Sequence, residues 1–386
     1  MNDLLRDTLH ERADGAEPPP LDLDGIMAAG KHRAGRRRAL GVLSGAVATA
    51  AVAAGTATVI RPRDTQPQPA KPAPFTQRRA TYALGDTIHY GNETISVAPH
   101  KVTAFVQTDA GFVFLNADNA IHVVDRSGVR ALGKSAWRLT ADVRGSLVGW
   151  VETFSDHGES VVYDVAAHRE LVRTPIGNKI PKYASVAVGP QIVALDGNLA
   201  YFGTLDGLYR WDVTTDNGER IAKVGPTAVR TVAAGRFVYQ QPLDRFGGTN
   251  LAIAKTVSPD EPARFTGELA FLSPEGKHLV TEPEDAKPGI QPLWADLLMY
   301  DVPTGGLKRA PHTYVSTYFG QWLDDKTFTA VGERTTSRAA DLLLVDAATG
   351  TVQVAVPSFS EVAFRTRAPR TAPFALPTGR PLIDRG

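Results

Sequence analysis

A short phrase recurs through most of this chain: an apolar pair or triplet, then Asp, then a polar or Gly-containing turn, then a further apolar segment. It reads HVVDRSGVRAL at Asp125, VVYDVAAHRELV at Asp164, YRWDVTTDNGERI at Asp212, LMYDVPTGGLKRA at Asp301 and LLVDAATGTVQVA at Asp346. The copies stand roughly 40–50 residues apart, apart from one gap about twice as long, a period typical of stacked structural repeats. A degenerate copy, LAIAKTVSPDEPARF, fills that gap at Lys255. Between the copies lie short β-branched and aromatic runs such as FVFLN, QIVALD, NLAYFG and RFVYQ, each bounded by Gly, Asp, Asn or Pro,. No long amphipathic helix pattern appears beyond Thr81. A unit of this length built from strands alone is a small antiparallel sheet. It cannot cover both of its own faces, so several such units must pack side by side and close on themselves.

The expectation is an all-β β-propeller over residues 81–365, with seven blades favoured over six or eight. Six units run from Lys101 to Pro357. The hairpin Tyr82–Val97 and the segment Ser360–Arg365 are expected to combine into a composite blade that closes the ring and removes its open edges. Residues 366–386, with several prolines, read as a loose extension. Each repeated Asp would accept turn amides at the end of a third strand, and the Gly after it would take a left-handed backbone angle.

Particular residues carry a family resemblance. Trp211-Asp212 is a WD dipeptide, Tyr163-Asp164 and Tyr300-Asp301 are variants of it, and LSPEGKHLV at Leu272–Val280 is a strand-turn-strand phrase set by Pro274 and Gly276. The body resembles extracytoplasmic WD-repeat-like or TolB-like propellers. The Gly-His dipeptide of intracellular WD repeats is absent. The resemblance implies architecture, with little to say about activity.

Ahead of the repeats lies a run without charge, Ala39–Ile60, preceded by Arg36, Arg37 and Arg38 and followed by Arg61 and Arg63. As a helix rising ~1.5 Å per residue it is long enough to cross a ~30 Å hydrocarbon core. The basic flank puts Met1–Arg38 in the cytoplasm and the body outside. A cleaved signal is the other export reading, since Arg37-Arg38 loosely resembles a twin-arginine motif and small residues surround Ala53. Gly41 and Gly45 have a helix-packing spacing, for which chance suffices in so alanine-rich a run. The tail, residues 1–38, is expected to be mostly disordered, stopped by Pro18-Pro19-Pro20. Residues 61–80 read as a proline-rich linker. The arrangement of tail, basic stop, single crossing and outer domain resembles membrane-bound anti-sigma regulators of actinobacterial type, although a chain with no cysteine cannot hold the zinc motif of many of them.

The absence of cysteine excludes disulfides, thiolate nucleophiles and zinc–cysteine sites,. A formal net charge of +1 predicts no general attraction to nucleic acid. No nucleophile elbow, zincin helix motif, P-loop or dinucleotide fingerprint is present. The body histidines His89, His100, His122, His157, His168, His278 and His312 lack paired ligand spacing, although a propeller could gather some at its axis. Asp196-Gly197-Asn198, Asp206-Gly207 and Asp216-Asn217-Gly218-Glu219 read as hairpin turns before calcium loops. Trp137, Trp150, Trp294 and Trp322 read as packing residues, with a sugar platform as the other reading. The irregular stretch Pro283–Pro292 is the favoured contact loop. No catalytic, cofactor or metal residue is assigned. The function expected is a single-pass, membrane-anchored module whose outer propeller binds or senses a protein, peptide or glycan. The alternatives are a propeller hydrolase or lyase with its site at the axis, and a transmembrane regulator whose tail binds a cytoplasmic partner such as a sigma factor.

Overall fold

The computed structural model describes residues 75–153, 158–175, 190–241, 250–267, 269–282, 297–309, 314–334, 337, 339–361 and 372–382. The expectations for the tail, for Ala39–Ile60 and for residues 61–74 of the linker lie outside them. Among the described residues no helix is long and apolar enough to cross a membrane.

These residues form seven four-stranded antiparallel sheets. Six are continuous in sequence: blade 2 (104–135), blade 3 (139–174), blade 4 (191–222), blade 5 (229–266), blade 6 (269–309) and blade 7 (314–361). Blade 1 takes three strands from residues 81–96 and one from Phe374–Ala375. The first strands of successive blades 2 to 6 adjoin one another, and Asp142 and Leu195 form a parallel bridge between blades 3 and 4. The innermost strands therefore run the same way along a common axis, and the protein is a seven-bladed β-propeller.

The cores lie between blades. Seven hydrophobic clusters of described residues fall one at each boundary. Consecutive strand residues go to opposite sides. Val161 packs towards blade 2 and Val162 towards blade 4. Phe237 packs towards blade 4 and Val238 towards blade 6. Leu342 packs towards blade 1 and Leu343 towards blade 6. Side chains alternate along a strand, so an unbroken apolar run marks a strand covered on both faces.

The repeated aspartates each end the third strand of a blade. Asp212 accepts the Thr214 amide at 2.8 Å and hydroxyl at 2.6 Å. Asp301 accepts the same two groups of Thr304 at 2.9 and 2.5 Å. Asp346 accepts the amides of Ala348 and Thr349 at 2.9 and 2.8 Å. Asp164 accepts Ala166 N at 3.0 Å and also the Ser146 hydroxyl at 2.6 Å, tying the turn to the preceding hairpin. Asp125 is paired with Ser127, whose hydroxyl and amide outweigh burial and hold its carboxyl below the usual range. Lys255 follows the third strand of blade 5, Asn250–Ala254, at the equivalent place. The segments Asp196-Gly197-Asn198 and Asp206-Gly207 are hairpin turns, with positive φ at both glycines.

A second set of bonds links neighbouring blades where the innermost strands finish. Asp109 N donates to Gly145 O at 2.7 Å. The Asp142 carboxylate accepts the Gly197 amide, and Asp196 Oδ2 accepts Gly235 N at 3.0 Å. Asp325 Oδ1 accepts Ser273 Oγ at 2.7 Å and Glu275 N at 2.9 Å, which fixes the Leu272–Val280 turn to blade 7.

Closure departs from expectation in its details. Ser360 and Glu361 do not enter blade 1. They extend the outer strand of blade 7, Val352–Glu361, pairing with Ala340 and Ala339. The closing strand is Phe374–Ala375, with Leu84 opposite Phe374 and Ala83 opposite Ala375. Residues 372–382 are thus no loose extension: Ala372, Phe374, Ala375, Leu376 and Leu382 are all buried. This strand pairs on one side only and turns its other edge to the axis, so the flanking Pro373 and Pro377 leave no ladder bond unmade,.

Phe374→Ala should cost roughly 3–5 kcal/mol of stability, the usual penalty for truncating a buried Phe, measured as a fall in urea midpoint; a neutral result would restore the loose extension. Asp142 is 6% exposed, and burial, reinforced by the charges of Asp196 and Asp109, raises its carboxyl to about 6. Its folded pKa exceeds its unfolded one, so its contribution favours folding at acid pH and is lost as pH rises through 6. Asp142→Asn, which keeps an acceptor for Gly197, should raise Tm at pH 7.5 by an amount equivalent to at most about 3 kcal/mol. The gain should vanish near pH 4.

Candidate functional site at the axial channel

The chain beyond Ala375 occupies the axis. Thr378 N turns back to Leu376 O at 2.7 Å, and Ala372 N bonds Leu382 O at 3.0 Å, so the segment leaves blade 1 and returns to it. At its tip Gly379 N donates to Phe105 O at 2.8 Å, while Leu139 N donates to Gly379 O at 2.7 Å. The tip therefore bridges the innermost strands of blades 2 and 3. Gly379 has φ 73°, and a Cβ there would collide with the Leu139 carbonyl oxygen, so the position requires glycine,. One residue further on, Arg380 reaches blade 6: Nη2 lies 3.7 Å from Glu282 Oε1 and Cζ stands 5.4 Å from the centre of the Phe271 ring. A segment that touches blades 2, 3 and 6 spans the channel.

The two ends of the channel differ. Where the innermost strands finish, the N-terminal stretch 75–79 is fastened down. Gln107 Nε2 donates to Phe75 O and Gln77 O at 3.0 and 3.1 Å, and Gln321 Nε2 donates to Arg79 O at 2.8 Å. Arg78 pairs with Asp109 at 2.9 Å and donates to Val143 O at 2.8 Å. These bonds join blades 1, 2, 3 and 7.

Where the innermost strands begin, the groups are cationic and accessible. Arg138 immediately precedes the first strand of blade 3, Leu139–Ala141, and its side chain is exposed. Its Nη1 donates to Gln191 Oε1 at 2.8 Å on blade 4, and Gln191 Nε2 in turn donates to Pro226 O at 2.6 Å. The charge of Arg380 lies close enough to act on the Arg138 guanidinium. Leu139 and Gly379 are joined directly, so Arg138 and Arg380 leave the backbone side by side, Arg138 turning to blade 4 and Arg380 to blade 6. Glu282, the last residue of its strand and opposite Leu269, supplies a carboxylate at this end. Beneath Arg380, Phe271 stacks on Phe319 with centroids 4.0 Å apart. Trp137 stands next to Arg138 and is 49% exposed.

The residues singled out from sequence fall elsewhere or only partly here. No histidine among the described residues sits on an innermost strand. His89 stacks on Tyr82, His122 lies buried between Phe114 and His100, His168 contacts Arg130, and His278 is buried at the blade 6–blade 7 boundary. Trp150 and Trp322 belong to inter-blade cores, as the packing reading has it, while Trp137 does not. Trp294, His157, His312 and Pro283–Pro292 lie outside the described residues. Arg138, Gln191 and Arg380 carry no sequence signal of their own. Arg138 would have been found only by aligning the blades on their first strands.

No family model matches the sequence, and no curated protein matches it either. Solved structures do. TolB from Acinetobacter baumannii is 12% identical with a TM-score of 0.40, over 73% of this chain and 64% of that one. A puromycin-hydrolyzing peptidase of Mycobacterium tuberculosis is 16% identical with a TM-score of 0.46, over 82% and 60%. Protein lmo1340 of Listeria monocytogenes is 9% identical with a TM-score of 0.44, over 70% and 87%. The chain spans less than two thirds of the length of the first two. These likenesses concern the fold alone, which the seven sheets of this chain define by themselves as a seven-bladed β-propeller.

Proposed function

We propose that this protein is a membrane-anchored binding or sensing module, with Ala39–Ile60 as its single crossing and the propeller outside the cytoplasmic membrane. The ligand, a protein, peptide or glycan, is taken at the end of the channel where the innermost strands begin. One observation carries this reading: an exposed Trp and an exposed Arg, residues 137 and 138, stand together at the mouth of an axis closed from within. Trp and Arg are the side chains that most often dominate binding energy, because each combines a large contact area with directional donors. The tail Met1–Arg38 lies on the cytoplasmic side, accessible to a cytoplasmic partner.

Two measurements test it. The natural chain has no cysteine, so Ala117→Cys, on an exposed turn of blade 2, gives a single label site. A membrane-impermeant maleimide should modify it in intact cells, and labelling only after lysis would place the propeller inside. Trp137→Ala should weaken capture from peptide and glycan arrays by about tenfold or more, the loss of a hot-spot aromatic, without lowering Tm. Unchanged capture would remove the ligand from this face.

A further inference from the structure

Residues 97–103 join the outer strand of blade 1, Glu93–Ser96, to the innermost strand of blade 2, Ala104–Gln107, at the end of the ring where the innermost strands begin. Backbone bonds hold this connector to both blades. Val97 N and Val102 N donate to Asp86 O and Gly85 O, each at 2.8 Å, and Thr103 N donates to Leu115 O at 2.9 Å. Two imidazoles meet between the connector and blade 2. The His100 and His122 ring centres stand 4.0 Å apart, and His122 stacks on Phe114, of the strand Phe112–Leu115, at 5.0 Å. His122 is 3% exposed, and neither of its ring nitrogens has a hydrogen-bond partner among the described residues. A neutral imidazole carries one N–H, so this packing leaves a buried donor unsatisfied, a cost that an apolar side chain in its place would avoid.

The charged ring fits still less. An imidazolium has two N–H donors and needs an acceptor for each. Phe114 is apolar, Ala131 stands opposite on the outer strand of blade 2, and His100 meets His122 ring to ring, 37° from parallel. The charged groups nearby are engaged or in solvent: Arg130 reaches His168, Asp86 accepts the Thr87 hydroxyl at 3.2 Å, and Lys101 is exposed. We infer that the His100–His122 pair is an acid switch: a proton on His122 releases the connector 97–103 from blade 2 and loosens the boundary between blades 1 and 2. In the closed boundary the ring is neutral; in the open one it meets water and takes the proton. Burial, and after it the charge of His100, hold the His122 imidazole below its ordinary value,. Closure is therefore fully favoured above the open-ring value of about 6.5 and weakens as pH falls below it. The connector lies at the same end as Trp137, so acid acts on the proposed binding face whatever ligand it takes.

The chain has no cysteine, so Val102→Cys, at a connector position 5% exposed, reports opening as the rate of labelling by a dithiodipyridine reagent. The full-length protein is used in detergent, and Ala117→Cys, on its exposed turn, corrects for the pH dependence of the reagent. Between pH 7.5 and pH 5 the corrected rate should rise about fivefold or more, the response of an opening that takes up one proton. His122→Phe, which keeps the stack on Phe114, should abolish the rise, and His122→Leu should do the same if the larger ring disturbs folding. His100→Gln, which removes the second charge, should reduce it. Val238→Cys, fully buried between blades 5 and 6, should stay unlabelled throughout. As a measurement independent of variants, nitrogen-15 NMR of histidine-labelled wild type should show one ring still neutral near pH 6 that gains its proton over the range in which labelling accelerates. A flat labelling rate, a rise that survives both His122 variants, equal labelling at Val238→Cys, or histidine rings that all titrate near 6.5 would each overturn the inference.

Discussion

Every blade of this protein is a sheet with two apolar faces, and each face is covered only by its neighbour. The alternation of Val161 and Val162, or of Leu342 and Leu343, into opposite clusters is that dependence at single-residue resolution. No blade has a core of its own. The favourable term, burial of apolar area between sheets, is therefore realised in full only when the last sheet meets the first. Closure is a condition of stability for all seven sheets, more than an ornament at the chain ends.

That condition explains the path of the chain near residue 375. Blade 1 has three strands from the start of the body and lacks its innermost one until Phe374–Ala375 arrives. Because the missing strand is the axial one, the chain that supplies it must enter the channel, and the next residues have nowhere else to lie. Leu376–Arg380 then fills the axis and carries Arg380 across to blade 6. The chemistry at the channel mouth is thus a by-product of the closure device: the same turn that seals the ring brings the backbone of Arg380 beside that of Arg138. At the opposite end, residues 75–79 are tied down by Gln107 and Gln321, so both ends of the described body are fastened at the axis.

Much of this was legible in the residues. The Asp phrase marks the end of a third strand because a carboxylate two or three residues before exposed turn amides is the nearest local acceptor for them, a relation confined to a few consecutive residues. The runs FVFL and VVYD announced strands covered on both faces. The closing strand was missed because three residues between prolines, two of them in the strand, show no periodicity. Ser360–Arg365 read as the closing segment, whereas its first two residues prolong the outer strand of blade 7, whose length is set by its pairing partner, Ala339–Asp346, rather than by its own composition. Trp137 resembled Trp150 and Trp322 in type, yet the latter two point into cores and it does not.

Strands, turns, the repeat and hence the ring are written in the residues themselves, because each of these depends on interactions between residues close along the chain or on an alternation that any neighbour of the same kind can satisfy. Which strand closes the ring, which residues face the axis and which charges come near one another there are settled by the folded ring. Arg138 and Arg380 are separated by most of the propeller in sequence, and their proximity is the sum of the geometry of every blade between them, which no local pattern encodes.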